Sequence, residues 1–175
     1  EVLNTGSGDV GLAAEGDLAV IGDGIDNAGG SISVRTGGDL ALDAVLTVLG
    51  DADVTLTADG QIDVAAAVDA ESGSVVLTGA GIEQSATVST DTGTVSYTAD
   101  EDIVMTGAGT VETGTGAVTI DAGNDLLITH ITSGTGDIVL RAQDGSIVDN
   151  TPDEASNVVN GGELTLNANK EVGSE

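Results

Sequence analysis

GSVVLTGAGI (73–82), GTVSYTADEDI (93–103), GAVTIDAGNDL (116–126) and GDIVLRAQDGSI (136–147) are four versions of one phrase. Each opens on glycine, runs through an apolar–any–apolar triplet, breaks at a few polar or glycine residues and resumes with a second apolar segment. Self-similarity with a period in the low twenties is the signature of a solenoid. The same opening recurs as GDVGL from Gly8, GSISV from Gly30, ADVTL from Ala52 and GELTL from Gly162, so copies begin 20 to 26 residues apart along the whole chain.

Two apolar columns follow from this register. The first is Val10, Ile32, Val54, Val75, Val95, Val118, Ile138 and Leu164; the second is Leu12, Val34, Leu56, Leu77, Tyr97, Ile120, Leu140 and Leu166. Alternation with period two describes strands with one buried face. A second strand is led by Leu18, Leu40, Ile62, Ile82, Ile103, Leu126 and Ile147. A third apolar position follows at Ile25, Val48, Val68, Val88, Val111, Ile131 and Val158.

The pattern predicts an all-β fold: a right-handed parallel β-helix (β-solenoid) of about eight coils, each of roughly 22 residues with three short strands. It forms a single domain over residues 1–175, roughly 38 Å long at the usual strand spacing. A helical reading fails because Val, Ile and Thr dominate, glycine recurs and no 3.6-residue period is present. A β-sandwich is the serious rival. Against it, like residues recur at like positions in successive copies, as stacked rungs demand, and the strands vary little in length.

Composition agrees with stacking. Phe, Trp and Cys are absent, Tyr97 is the only aromatic residue and Met105 the only Met, so the core must be Val, Ile, Leu and Ala. Without Cys there are no disulfides and no thiolate chemistry. Glycine numbers 27 against one proline, Pro152. No apolar run reaches membrane-spanning length. The chain starts without an initiator Met or signal peptide and ends partway through a copy, with no cap at either end, which leads us to expect a piece of a much longer repetitive protein.

Thirty acidic residues against three basic ones, Arg35, Arg141 and Lys170, give a formal charge of −27. Nucleic acid is excluded as a partner, since neutralising phosphates needs clustered Lys and Arg, and attraction to anionic membranes is excluded likewise. The acidity fits solubility, adaptation to a saline medium, or calcium binding by carboxylate oxygens. No residue stands out as catalytic, cofactor-binding or metal-ligating, and calcium is the one cofactor that the composition admits.

Several features could carry chemistry. Asp17, Asp39, Asp102 and Asp125 fall just before the second strand and form a ladder interrupted by Gln61, Gly81 and Ser146; solvated turns and calcium bridging both fit. Gly22-Asp23-Gly24-Ile25-Asp26 matches the GxGxD core of the calcium-binding nonapeptide, which works through tandem copies; here it occurs once and reads as a glycine-rich corner. Thr90-x-Thr92, Thr113-x-Thr115, Ser133-x-Thr135 and Thr5-x-Ser7 precede rung openings and read as hydroxyl-rich turns rather than a flat ice-binding array. Polysaccharide cleavage would need clustered carboxylates with a basic sugar-binding group. His130 stands without a partner at motif spacing, the basic residues are scattered, and Tyr97 is the sole aromatic platform. Val64-Ala65-Ala66-Ala67-Val68 should narrow the core or tighten a turn. Residues 149–160, DNTPDEASNVVN, read as a surface loop insertion.

The phrases GDVGLAA, ADVTLTADG, GAVTIDAGNDL and GDIVLRAQDGSI resemble the β-helical repeats of filamentous-haemagglutinin-type adhesins and of giant bacterial surface proteins. The resemblance spans nearly the whole chain. It implies an extracellular or cell-surface bacterial stalk without catalytic residues, whose partners are adjacent β-helical repeats of the same chain and another cell surface or a glycan. The alternatives are a calcium-stabilised module resembling a β-roll, a polysaccharide-active β-helix and an ice-binding solenoid.

Overall fold

The computed structural model describes residues 2–4, 8–152 and 157–173. Its strands come in threes. The first turns of the chain carry β1 (Val2–Asn4), β2 (Val10–Ala14) and β3 (Leu18–Val20), then β4 (Ile25–Asn27), β5 (Ile32–Thr36) and β6 (Leu40–Leu42). Next come β7 (Leu46–Val48), β8 (Val54–Ala58), β9 (Gln61–Val64), β10 (Val68–Asp69), β11 (Val75–Gly79) and β12 (Gly81–Gln84). The second half holds β13 (Thr87–Thr90), β14 (Val95–Ala99), β15 (Ile103–Met105), β16 (Thr110–Thr113), β17 (Val118–Ala122) and β18 (Leu126–Ile128). It closes with β19 (His130–Ser133), β20 (Ile138–Ala142), β21 (Ile147–Asp149), β22 (Val158–Asn160), β23 (Leu164–Ala168) and β24 (Val172–Gly173).

Every third strand pairs in parallel, which builds three eight-stranded sheets: sheet I from β2 to β23, sheet II from β3 to β24 and sheet III from β1 to β22. The molecule is an all-β parallel β-solenoid of about seven coils. No helix of the described residues is long and apolar enough to cross a membrane.

Register follows the sequence columns. In sheet I, Val75 pairs with Val54 and Val95, and Leu77 with Leu56 and Tyr97. In sheet II, Ile82 lies between Ile62 and Ile103. These inward residues form one continuous apolar core in which most members are fully buried. In β8, β11, β14, β17 and β20 the fifth residue also faces inward but is Ala or Gly: Ala58, Gly79, Ala99, Ala122 and Ala142; in β5 it is the buried Thr36. This position precedes the bend into sheet II.

One column needs correction. In sheet III, Ile25 pairs with Leu46, not with Val48, and Leu46 with Val68. Leu46 and Val48 both point inward from β7, two residues apart. Alternation fixes their common face but leaves open which of the two stands above Ile25. Val48 stacks on Asn27 instead.

Residues 64–68 serve as a turn: β9 ends at Val64, β10 begins at Val68, and the backbone of Ala65 donates to Leu42 O of the preceding coil. The longest interval lies between β21, ending at Asp149, and β22, starting at Val158. Residues 153–156 of that connection lie outside the described residues.

Candidate functional site

The side chains with chemical potential sit mostly at the bends, and there the coils are tied together. Asp17 Oδ1 accepts the backbone N–H of Asp39 at 3.0 Å, and Asp39 Oδ1 accepts that of Gln61 at 2.9 Å. Further along, Asp102 accepts from Asp125 N at 3.0 Å and Asp125 from Ser146 N at 2.8 Å. Each carboxylate therefore serves the same position one coil later. The bend before sheet I repeats the device, with Asp9 accepting from Ser31 N, Ser31 Oγ from Asp53 N, Asp53 from Ser74 N and Ser74 Oγ from Thr94 N. Asp137 accepts from Glu163 N in the same way. An N–H at a bend lies off the strand ladder and needs an acceptor of its own. A short side chain carrying oxygen on the coil below supplies it.

The bend from sheet III to sheet I uses hydroxyls and an amide from inside. Thr113 Oγ1 donates to Gly116 O at 2.7 Å, Ser133 Oγ to Gly136 O at 2.9 Å and Asn27 Nδ2 to Gly30 O at 2.6 Å. Thr90 Oγ1 donates to Gly73 O of the coil before at 2.7 Å. These four side chains are buried. The Thr-x-Thr pairs are therefore split: Thr90, Thr113 and Ser133 face the core, whereas Thr92, Thr115 and Thr135 face solvent. They do not form one flat face. Thr5 and Ser7 lie outside the described residues.

The other candidates take ordinary places. Gly22 and Gly24 both adopt positive φ, at 90° and 91°, and turn the chain into β4, where Ile25 enters the core and Asp26 points outward. A Cβ on Gly24 would overlap the carbonyl oxygen of Val45 on the next coil. Among the described residues no group of three or more His, Cys, Asp or Glu side chains is arranged to hold a metal ion. His130 is half-buried beside Thr110 in the outer row of sheet III. Arg35 and Arg141 project from the outer face of sheet I, five coils apart, and Lys170 lies at an exposed bend. Tyr97 is no platform: it is fully buried in the second column, its hydroxyl finds no hydrogen-bond partner among the described residues, and burial pushes its pKa well up.

Open grooves mark the outer surface, among them two of similar size. One, of about 410 Å³, runs over sheet III and its bend, with Asp69, Glu71, Asp91 and Glu112 beside Ser89 and Thr132. The other, of about 430 Å³, lies on sheet II between Asp17, Asp39, Gln61 and Asp63, with Ala19 and Ala41 as its floor. Among the described residues no Arg, Lys or His lines either groove. Carboxylates alone lack the cationic partner that would seat an acidic sugar. In the sheet III groove they are partly engaged already: Glu71 accepts from Gly50 N at 2.6 Å and Asp69 from Glu71 N at 3.2 Å. On sheet II, partial burial and the charges of Glu83 and Asp43 raise the pKa of Asp63.

Asp149 is the most heavily bonded carboxylate at the base of the 149–160 segment. It accepts from Thr151 N at 2.8 Å, Thr151 Oγ1 at 2.7 Å and Asn157 Nδ2 at 2.8 Å, and these bonds lower its pKa. Asn157 Nδ2 also reaches Thr129 O at 2.8 Å, which pins the segment's return to sheet III.

Many of the polar groups with definite partners thus act between coils, others brace the bend of their own coil, and the architecture is that of a parallel β-solenoid such as many repeat families share. In comparison with known proteins, no family model, no curated protein and no solved structure matches this chain.

Proposed function

We propose that this chain is a non-catalytic structural and adhesive segment, a rigid stalk, of a large secreted or cell-surface bacterial protein that mediates attachment or cell–cell contact. The observation that carries the reading is the commitment of bend carboxylates and hydroxyls to neighbouring coils, from Asp9–Ser31 at one end to Asp137–Glu163 at the other. Such side chains make a stiff rod and leave little for turnover. The resemblance to haemagglutinin-type repeats supports the surface role. The coil is taken as right-handed, as parallel connections within a sheet nearly always are. Its external partner is another cell surface or a glycan.

The test couples the purified chain to beads, offers them to cells and immobilised glycans, and assays the same protein on acidic polysaccharides. The expected result is tethering without depolymerisation, together with resistance to pulling greater than that of a helical bundle of equal length. Measurable polysaccharide turnover, or unravelling at lower force than the bundle, would overturn the proposal.

A further inference from the structure

Among the described residues, sheet I is the one face of the rod on which cations outnumber acids. Its outer row holds Arg35 on β5 and Arg141 on β20 against a single acid, Asp121 on β17. The outer rows of the other sheets carry acids without Arg or Lys: Asp63 and Glu83 on sheet II, and Asp26, Asp69 and Glu112 on sheet III. Between Arg35 and Asp121 the face is uncharged over three strands. There β8, β11 and β14 turn outward Thr55 and Thr57, Val76 and Thr78, and Ser96 and Thr98, in continuous register. None of these five hydroxyls takes part in a hydrogen bond among the described residues, whereas the bend hydroxyls staple coil to coil. Side chains this short let two such sheets pack at the usual distance of about 10 Å.

The charges sort the ways in which this face can meet itself. A two-fold axis along the strands keeps each outer column opposite its own column and runs the two rods antiparallel. Centred on β11, the axis sets β5 against β17 and β8 against β14 of the second copy. Arg35 then faces Asp121 of the second copy and Asp121 faces its Arg35, while Thr57 meets Thr98, Thr78 meets itself and Arg141 falls opposite Ala13. Moving the axis half a coil toward β14 would instead set Arg35 against Arg141. A two-fold axis along the rod would lay each coil on itself with the columns exchanged, so that Arg35 would face Ser33 and find no acid.

We propose that sheet I is a docking face for a second copy of this chain, met face to face with the rods antiparallel and β11 on the two-fold axis. A second copy is the occupant because the face supplies both halves of its own charge match. Arg35 and Asp121 stand in one column, two coils to either side of β11, which is the self-complementarity that an isologous contact requires. One Asp121 oxygen accepts from Gln143 Nε2 at 2.9 Å, and the other is left for the guanidinium. The strands from β5 to β17 all lie inside the stack with a coil on either side, so the match is independent of the rod's ends. Nor does it depend on the adhesive role proposed above. From β2 to β20 the paired face measures about 16 Å by 29 Å. That is roughly 900 Å² over both copies, slightly below the roughly 1,000 Å² of a specific interface, so the pair is a weak one. Repulsion between two chains of −27 weakens it further at low salt.

The decisive experiment is sedimentation equilibrium on the 17.0 kDa chain in about 0.15 M and about 1 M salt, with circular dichroism as the check on folding. The wild type should show a concentration-dependent dimer. Arg35→Asp and Asp121→Arg each set like charges against one another twice across the axis, and each should dimerise at least about tenfold more weakly. The double variant, and an equimolar mixture of the two single variants, should recover the wild-type association, because both restore two contacts of opposite charge. Thr78→Lys, which brings two ammonium groups together on the axis, should abolish the dimer, whereas Ala41→Lys on sheet II should leave it unchanged. A wild type that stays monomeric at high concentration in both salts would overturn the proposal. So would a Thr78→Lys variant that associates as the wild type does, or single variants that a mixture fails to rescue, since either result takes Arg35 away from Asp121 of a second copy.

Discussion

The Asp39 carboxylate accepts the backbone N–H of Gln61 at 2.9 Å, across the gap between one coil and the next. The covalent distance is 22 residues, yet the bond joins equivalent positions, so it is a contact of the repeat and not of two particular residues.

Removing that acceptor should therefore loosen one step of the stack. Asp39→Ala leaves the Gln61 N–H to solvent at a cost of about 1 kcal/mol, or roughly 2–4 °C in Tm. Asp39→Asn keeps an oxygen in the same place and should recover most of the loss. Thermal melts followed by circular dichroism check both, and equal loss in the two variants would show that charge rather than hydrogen bonding matters at this bend.

Acid titration should separate two carboxylates with opposite signs. The Asp149 pKa is lowered by its bonds to Thr151 and Asn157, so its stabilisation is complete above the unfolded carboxylate value of about 3.9 and disappears as pH falls through the lower folded value. Asp149→Asn should lower Tm at pH 7 and flatten the acid limb of the stability curve. The Asp63 pKa is raised by burial and by Glu83 and Asp43. Its ionised form therefore costs stability above the folded value, and the cost is gone below about 3.9. Glu83 stands beside it in register, and like charges at adjacent strand positions cost about 0.2–1 kcal/mol. Asp63→Asn should raise Tm at pH 7 and make no difference at pH 3.

Much of this was legible in the sequence, for a geometric reason. In a solenoid the vertical neighbour of a residue is its counterpart one period away, so aligning copies places Val75 on Val54 and Ile103 on Ile82 without any structure. Alignment also placed Asp17, Asp39, Asp102 and Asp125 together, but a column position does not say which atom of the next coil a carboxylate meets. The signal was present in the other bend row, where Asp9, Ser31, Asp53, Ser74 and Thr94 precede successive strands. These side chains all bear oxygen close to Cβ and differ in charge, which points to a backbone donor and away from a cation. Leu46 and Val48 share one face, so periodicity could not rank them. Thr90 and Thr92 looked equivalent because the bend between them, which sends one inward and the other out, is a tertiary feature.

Tyr97 offers a gain. Its ring fills the column between Leu77 and Ile120, but its hydroxyl is buried without a partner among the described residues. An unsatisfied hydroxyl in a protein core costs about 1–3 kcal/mol. Tyr97→Phe keeps the ring and removes the unpaired group, so it should leave the fold intact and raise the unfolding free energy by about 1 kcal/mol, read as a higher urea midpoint at constant slope. A loss of stability would place an ordered water or an unrecognised acceptor at that hydroxyl.

The rung-opening glycines should be intolerant for reasons of space. A Cβ on Gly93 would overlap Gly73 O, and one on Gly116 would overlap Gly93 O, so the coils touch backbone to backbone along this edge. Gly116→Ala forces them apart and should cost about 1–3 kcal/mol, as overpacking does. Gly11 also lies in sheet I but points outward, and a methyl group added there would have nothing within 4 Å. At that position Gly11→Ala should be neutral or stabilise by about 0.4–1 kcal/mol through the unfolded chain. Urea melts of the pair distinguish close approach from a general need for glycine flexibility, which would make both variants unstable.

Calcium provides the sharpest check on why the chain is so acidic. If the bend carboxylates were cation ligands, stacked rows such as Asp17 over Asp39 would repel without metal, and a chelator would lower Tm. In the structure each of these carboxylates already accepts a backbone N–H of the next coil, so one of its oxygens is engaged without a cation. The GxGxD corner places Asp26 outward on β4, where its register partner is Thr47 rather than a second acid. Ligand binding to the folded state alone raises stability with the logarithm of free ligand concentration, so a site of micromolar affinity would show at millimolar calcium as a shift of several degrees. We expect melting midpoints in about 5 mM calcium, roughly a thousandfold above such an affinity, and in chelator to agree once ionic strength is matched; a calcium-specific rise that magnesium does not reproduce would make the acidic rows metal sites.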